Sequence, residues 1–153
     1  MQKLFFTTLL TLTALLGYSQ DAEFRKKHFN IDEGLAIKGY DPVAYFTQGQ
    51  AVKGSKEFAV SDQGVLYYFS SAANKEEFKK NPARYEPQYG GWCAYAMGKD
   101  GSKVEVDPGT FKIVNGKLFL FYNRFFNNTL KTWNKDEDHL HKNADNNWQK
   151  LTH

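Results

Sequence analysis

A single cysteine, Cys93, limits how this chain can hold its fold together. The sequence has 153 residues and one cysteine, so no disulfide can form within the chain. The fold must therefore be stabilised by its hydrophobic core. Phe and Tyr supply that core, with 13 and 9 copies, because aromatic side chains bury large apolar areas. The composition predicts one packed domain.

The N-terminus has the pattern of a secretory signal peptide. Lys3 supplies a positive charge, residues 4–16 are apolar apart from threonines, and small residues follow. We expect cleavage between Ser19 and Gln20, which would leave the mature chain in the periplasm or outside the cell. The apolar stretch is shorter than the about 20 residues that a membrane span requires. We therefore expect a chain that does not span a membrane.

The charge distribution argues against a nucleic-acid-binding protein. The formal net charge is +3, and the basic residues are scattered along the chain. Residues 25–27 form the one tight basic cluster, which we interpret as a solvated face. A nucleic-acid footprint would need a basic patch or stripe.

The remaining patterns predict an α+β domain over residues 35–151, preceded by a leader at 20–34 with a short helix. Two hairpins supply a small antiparallel sheet. The first joins residues 58–61 to 65–69, and the second turns at Asn115-Gly116, a pair that favours hairpins because both residues tolerate positive φ.

Short helices are predicted to pack against this sheet. One begins near Asp41-Pro42, where Asp can cap the first turn and Pro is tolerated. Another covers residues 72–80, with a Ser cap at its start and Asn81-Pro82 at its end. Residues 124–151 are predicted to be helical in two pieces, so the C-terminus is helical.

Three ordered motifs resemble the exported branch of the YHS-domain family. They are Gly-Tyr-Asp-Pro-Val-Ala-Tyr-Phe at 39–46, Tyr-Tyr-Phe-Ser-Ser at 67–71, and Gln-Tyr-Gly-Gly-Trp-Cys-Ala-Tyr at 88–95. The resemblance extends from about Leu35 to Leu151 and is strongest over 39–95.

The resemblance implies a metal-associated function, because shorter YHS relatives occur beside copper-handling transporters and in some oxygenase subunits. Their pattern places cysteines where this chain has Ala44, Ser70 and Asn74. The full thiolate set is therefore absent here, and Cys93, in the Gly-Gly-aromatic-Cys element, is the remaining thiol.

Cys93 is the centre of the candidate metal site. Thiolates prefer soft ions, so copper or another soft metal ion is the candidate cofactor. Met97 would lie near Cys93 if this stretch is helical, and Asp41 is a third candidate ligand that only the fold could bring close. Asp41 has a competing interpretation as a helix cap, and Cys93 as a small buried hydrophobe.

Several aromatic side chains are candidates for the wall of a ligand pocket. Their rings can enclose a ligand while hydroxyl and indole groups orient it. They are Tyr40, Tyr45, Tyr68, Tyr89 and Trp92. The alternative for this set is ordinary core packing. Gly90-Gly91 is expected to adopt a backbone conformation that other residues avoid.

A catalytic thiol would need a base and a lowered pKa. The nearest basic residue to Cys93 in the sequence is Lys99, so we expect a non-catalytic protein. Its partner would be a metal ion or a small ligand. The alternative is a structural or protein-interaction domain with no metal site and a buried Cys93, and the sequence names no protein partner.

Overall fold

The computed structural model describes residues 21–153, so the predicted signal peptide lies outside the described residues. Within them, helix α1 covers residues 21–28. The other helices follow as α2 to α7: Ala44–Thr47, Ala72–Lys80, Pro82–Tyr85, Ala94–Asp100, Thr129–Trp133 and Glu137–Thr152. Two 3-10 turns cover Ile37–Gly39 and Gln88–Gly91.

Eight strands form three small sheets. Strands β1 to β8 are Ile31–Asp32, Leu35–Ala36, Ser55–Asp62, Val65–Phe69, Asp107–Val114, Lys117–Phe121, Asn123–Arg124 and Asn127–Asn128. The largest sheet has the order β1-β2-β4-β3, while β5-β6 and β7-β8 each form a separate pair. All pairings are antiparallel except β2 with β4. The predicted α+β class is confirmed, and the parallel pair is an addition to the predicted antiparallel sheet.

The local sequence signals for turns and caps are confirmed at three places. Helix α3 covers the predicted 72–80, and the Ser71 side chain caps it by accepting a bond from the Asn74 N–H at 3.1 Å. Pro82 opens α4. The β5–β6 hairpin turns at Asn115-Gly116, with φ of 50° and 71°.

The segment around Arg124 corrects one prediction. The sequence predicts that residues 124–151 are helical in two pieces, with the first piece starting at Arg124. Instead residues 123–128 form the β7–β8 hairpin, and helix α6 begins only at Thr129. The Asn128 side chain accepts a bond from the Leu130 N–H at 3.1 Å, so the helix starts there.

Two clusters of buried side chains make up the core. The first joins residues of the four-stranded sheet, α3 and β6, and includes Tyr45, Phe69, Phe78 and Cys93. The second surrounds Trp133 under α5 and α7 and includes Met97, Phe119 and Phe121. Aromatic rings contribute to both clusters, as the composition predicts.

Helix α1 is fixed to this core by Arg25, which corrects the prediction of a solvated basic face. Arg25 is only 5% exposed. Its guanidinium donates to the Asp62 carboxylate at 3.2 Å and to the Tyr67 hydroxyl at 3.2 Å, and it also pairs with Glu86. A buried guanidinium needs such partners because removing its charge from water is costly. Lys26 and Lys27 remain exposed.

No helix among residues 21–153 is both long and apolar enough to cross a bilayer.

Candidate functional site

Cys93 lies directly before helix α5, and the chain reaches it through an unusual turn. Tyr89, Gly90 and Gly91 all have positive φ, of 56°, 60° and 88°. A Cβ on Gly90 would lie 2.9 Å from Phe29 and 3.0 Å from Trp148. Gly90 is therefore required both by its backbone conformation and by close packing, which confirms the expectation for Gly90-Gly91.

The Cys93 thiol is fully buried and forms a closed ring of hydrogen bonds. Its sulfur accepts from the Tyr122 N–H at 3.3 Å and lies 3.5 Å from the Thr129 hydroxyl oxygen. The Thr129 hydroxyl proton is already donated to the Tyr122 carbonyl at 2.9 Å. Since that proton is already used, the thiol is the donor in its contact with the Thr129 hydroxyl oxygen.

A cavity of about 250 Å³ borders this ring. Helix α5, the loop after it and the β7–β8 hairpin form its wall. The lining residues combine the thiol with hydroxyl, amide and charged groups: Cys93, Tyr95, Ala96, Lys99, Asp100, Ser102, Val104, Tyr122, Asn127 and Thr129. The site is thus polar, although Cys93 itself has no exposed surface.

Asp41 occupies a different polar centre, in which its carboxylate is fully buried. One oxygen accepts from the N–H groups of Val43 and Ala44 at 2.8 and 3.3 Å, which is the predicted cap for the first turn of α2. The other oxygen accepts from the Ser70 N–H and hydroxyl at 2.8 and 2.6 Å, and from the Asn74 amide at 2.7 Å. Five donors therefore saturate Asp41.

The positions where the resemblance implied cysteines all surround Asp41. Ala44 contributes its N–H, Ser70 its N–H and hydroxyl, and Asn74 its side-chain amide. These three positions are separated along the sequence but meet at one point in the fold. In this chain that point is occupied by the Asp41 carboxylate and the oxygen and nitrogen groups that donate to it. Thiolates at the same three positions would instead bind a soft ion.

The third candidate ligand, Met97, is also fully buried. It lies on α5, as the helical expectation required, but its side chain packs in the second core cluster while Cys93 packs in the first. In residues 21–153, no group of three or more His, Cys, Asp or Glu side chains is placed to hold a metal ion. The three candidate ligands thus have three separate environments.

The predicted aromatic pocket residues are also divided among separate environments. Tyr45 is core, and its hydroxyl donates to the Pro108 carbonyl at 2.8 Å. Burial raises the pKa of that hydroxyl well above its usual value. Tyr40 packs at the edge of the first cluster, and the Tyr68 ring covers Gly39. The Trp92 indole donates to the His28 carbonyl at 2.7 Å.

Tyr89 lines a second, larger cavity of about 600 Å³. We name this the aromatic cavity, because Phe24, Phe29, Tyr89 and Trp148 line it. The Tyr89 hydroxyl donates to the Asp145 carboxylate at 2.9 Å. The pKa of the Tyr89 hydroxyl is raised, mainly by burial and further by this hydrogen bond to a carboxylate.

Sequence reasoning did not identify the partners of Cys93. Tyr122 and Thr129 lie 29 and 36 residues away from it. Thr129 carries a weak signal, since a buried Thr at a helix start often uses its hydroxyl locally. Tyr122 contributes only its backbone, for which no side-chain signal exists.

These features define a small α+β domain with a buried thiol at one cavity and a carboxylate network at a separate polar centre. Residues 43–89 match the family model of the YHS domain, so this part of the chain is a YHS domain. The match includes Ala44, Ser70 and Asn74 and ends just before Gly90. No curated protein and no solved structure shows significant similarity to the chain.

Proposed function

We propose that this chain is an exported, non-catalytic binding module that holds a soft metal ion at Cys93, with copper as the first candidate. The observation that supports this most directly is the position of the thiol, which is oriented by two hydrogen bonds at the wall of a cavity. Thiolates are preferred ligands of soft ions. The YHS domain at 43–89 is of a type associated with metals.

The size and lining of the cavity indicate how such an ion would be held. Cys93 is the only sulfur ligand among its described lining residues. The volume of about 250 Å³ greatly exceeds the roughly 30 Å³ that one water molecule occupies. We therefore expect the ion to enter with a small ligand of its own, and Cys93 to complete its coordination.

Binding would change the hydrogen-bond ring. A metal ion binds the thiolate, so binding would release the thiol proton and break its contact with Thr129. A catalytic thiol would also need a neighbouring base. The described hydrogen-bond partners of the Cys93 sulfur are the Tyr122 N–H and the Thr129 hydroxyl, and neither is a base. This supports a binding function over a catalytic one.

A Cu(I) titration tests the proposal. The mature chain would be titrated without oxygen against a coloured Cu(I) chelator, with Zn(II) measured in parallel. We expect one Cu(I) per chain, released protons, and at least tenfold weaker binding for Cys93→Ser. Met97→Leu is the matched control, and it should bind as the native chain does because Met97 packs in the other core cluster.

Equal and weak Cu(I) binding by the native chain and Cys93→Ser would contradict the proposal. That result would favour the second candidate, a structural or interaction domain. The closed ring supports this alternative, because a buried thiol that donates and accepts one bond has a sufficient structural role. Alkylation of Cys93 only after denaturation would agree with it.

Export is tested separately. The protein recovered from its host cell should begin at Gln20 by mass spectrometry, as cleavage after Ser19 requires. A chain that retains residues 1–19 and remains in the cytoplasm would contradict this part of the proposal.

A further inference from the structure

Four hairpins in the described part of the chain turn through two residues with positive φ. Three of them have Gly at the second position, which is the usual solution for such turns. They are Glu33-Gly34, Gln63-Gly64 and Asn115-Gly116. The fourth turn, between β7 and β8, is Phe125-Phe126, with φ of 52° and 61°.

The Phe pair is unfavourable for this turn in two independent ways. Bulky residues rarely adopt positive φ, because the Cβ approaches the backbone too closely. The two rings also lie in solvent, with exposed fractions of 87% for Phe125 and 110% for Phe126. Arg124 beside them is exposed, and among the described residues its side chain has no ion-pair or hydrogen-bond partner. We name residues 124–126 the aromatic tip.

Nothing within the described fold explains why Phe replaces Gly here. The rings contribute no core packing, and the turn would form more readily with the Asn-Gly pair that the chain uses at 115–116. An observed backbone outlier that combines with exposed apolar surface indicates a binding function.

The aromatic cavity has the complementary properties. Its walls include the rings of Phe24, Phe29, Tyr89 and Trp148, and its charged side chains at neutral pH are Glu86 and Asp145. Glu86 is already bound to Arg25 and Tyr67. Asp145 accepts from the Tyr89 hydroxyl through Oδ1, and its Oδ2 lies 3.7 Å from the His141 ring. Its side chain is still 62% exposed, so the carboxylate is accessible to a cation.

We propose that the aromatic tip of one copy docks into the aromatic cavity of a second copy of this chain. Phe125 and Phe126 would stack among the cavity rings, and Arg124 would pair with Asp145. The two surfaces are different, so each contact joins the tip of one copy to the cavity of another. The protein should therefore self-associate as its concentration rises.

The experiment uses the mature chain and one variant of each surface. Phe125→Asn with Phe126→Gly copies the turn at 115–116 and removes the rings. Asp145→Arg reverses the charge at the cavity. In sedimentation equilibrium we expect the native chain to associate, and each variant to associate at least tenfold more weakly.

Mixing the two variants is the decisive measurement. Each retains the surface that the other lacks, so an equal mixture should form a one-to-one complex although each variant alone is monomeric. The turn variant should also melt at a higher temperature than the native chain, which shows that its loss of association is not caused by unfolding. Near-ultraviolet circular dichroism makes the same check for Asp145→Arg.

A native chain that remains monomeric at every concentration would overturn the proposal, as would unchanged association of the turn variant. Tip-dependent binding to vesicles of phosphatidylglycerol and phosphatidylethanolamine by a monomeric native chain would also overturn it, in favour of a membrane surface. Since neither variant alters Cys93, their Cu(I) binding should match that of the native chain, and the metal proposal can fail separately.

Discussion

The saturated carboxylate of Asp41 allows the cost of one substitution to be worked out in detail. In Asp41→Ala, five donors lose their acceptor. The Ser70 hydroxyl and the Asn74 amide can rotate toward new partners. The N–H groups of Val43, Ala44 and Ser70 cannot, because the backbone fixes their directions.

The magnitude follows from these backbone donors. An unsatisfied buried donor costs about 1–3 kcal/mol. The contact to Ala44 is long, at 3.3 Å, so two donors at 2.8 Å, from Val43 and Ser70, carry most of the effect. We expect Asp41→Ala to reduce the free energy of unfolding by about 4 kcal/mol, a large part of the roughly 5–15 kcal/mol of a typical domain.

Ser71→Ala is the matched comparison, because Ser71 forms one ordinary cap bond at the start of the neighbouring helix α3. Loss of such a cap costs about 1 kcal/mol. Both variants would be unfolded in urea, and the free energies compared at equal m-values. If Asp41→Ala costs no more free energy of unfolding than Ser71→Ala, the Asp41 network stabilises the fold no more than one ordinary cap bond.

Two further substitutions test the packing and charge of the C-terminal helix. In Gly98→Ala, the new Cβ would lie 2.4 Å from the Leu140 carbonyl oxygen, so α5 and α7 must separate. We expect the free energy of unfolding, measured by thermal melting, to fall by about 1–3 kcal/mol. An unchanged melting temperature would contradict the close contact. At Glu137, the hydrogen bond from Lys112 lowers the pKa of the carboxyl below its ordinary value of 4.5. Ionised Glu137 therefore stabilises the fold above pH 4.5. This stabilisation is lost as the pH falls through the lowered pKa. Urea unfolding of Glu137→Gln should therefore differ from the native chain at neutral pH and converge with it in acid, whereas a difference independent of pH would exclude this linkage.

The elements that could be predicted from sequence are those set by neighbouring residues. Ser71 and Asn81-Pro82 limit α3 from both sides, and Asn115-Gly116 supplies the positive φ values that its turn needs. Asp41 was correctly predicted as a cap because that contact spans only two or three residues. Its bonds to Ser70 and Asn74 span about thirty residues and left no local signal.

The failures of prediction have the same physical origin. Arg25 is buried because Asp62 and Glu86 meet it in the fold, at separations of 37 and 61 residues. The β7–β8 turn was missed because Phe125-Phe126 lacks the Gly or Asn that marks such turns. We infer that these two residues are selected for binding, as proposed for the aromatic tip, and not for turn formation.

The segment from Tyr122 to Thr129 links the thiol to that tip. Strands β7 and β8 have two residues each, and so short a hairpin is marginal by itself. Thr129 closes it by donating both its N–H and its hydroxyl to the Tyr122 carbonyl, at 3.0 and 2.9 Å. The Cys93 sulfur bonds to both residues. The buried thiol therefore stabilises the base of the hairpin from inside the core, while the turn residues of the tip lie beyond its reach.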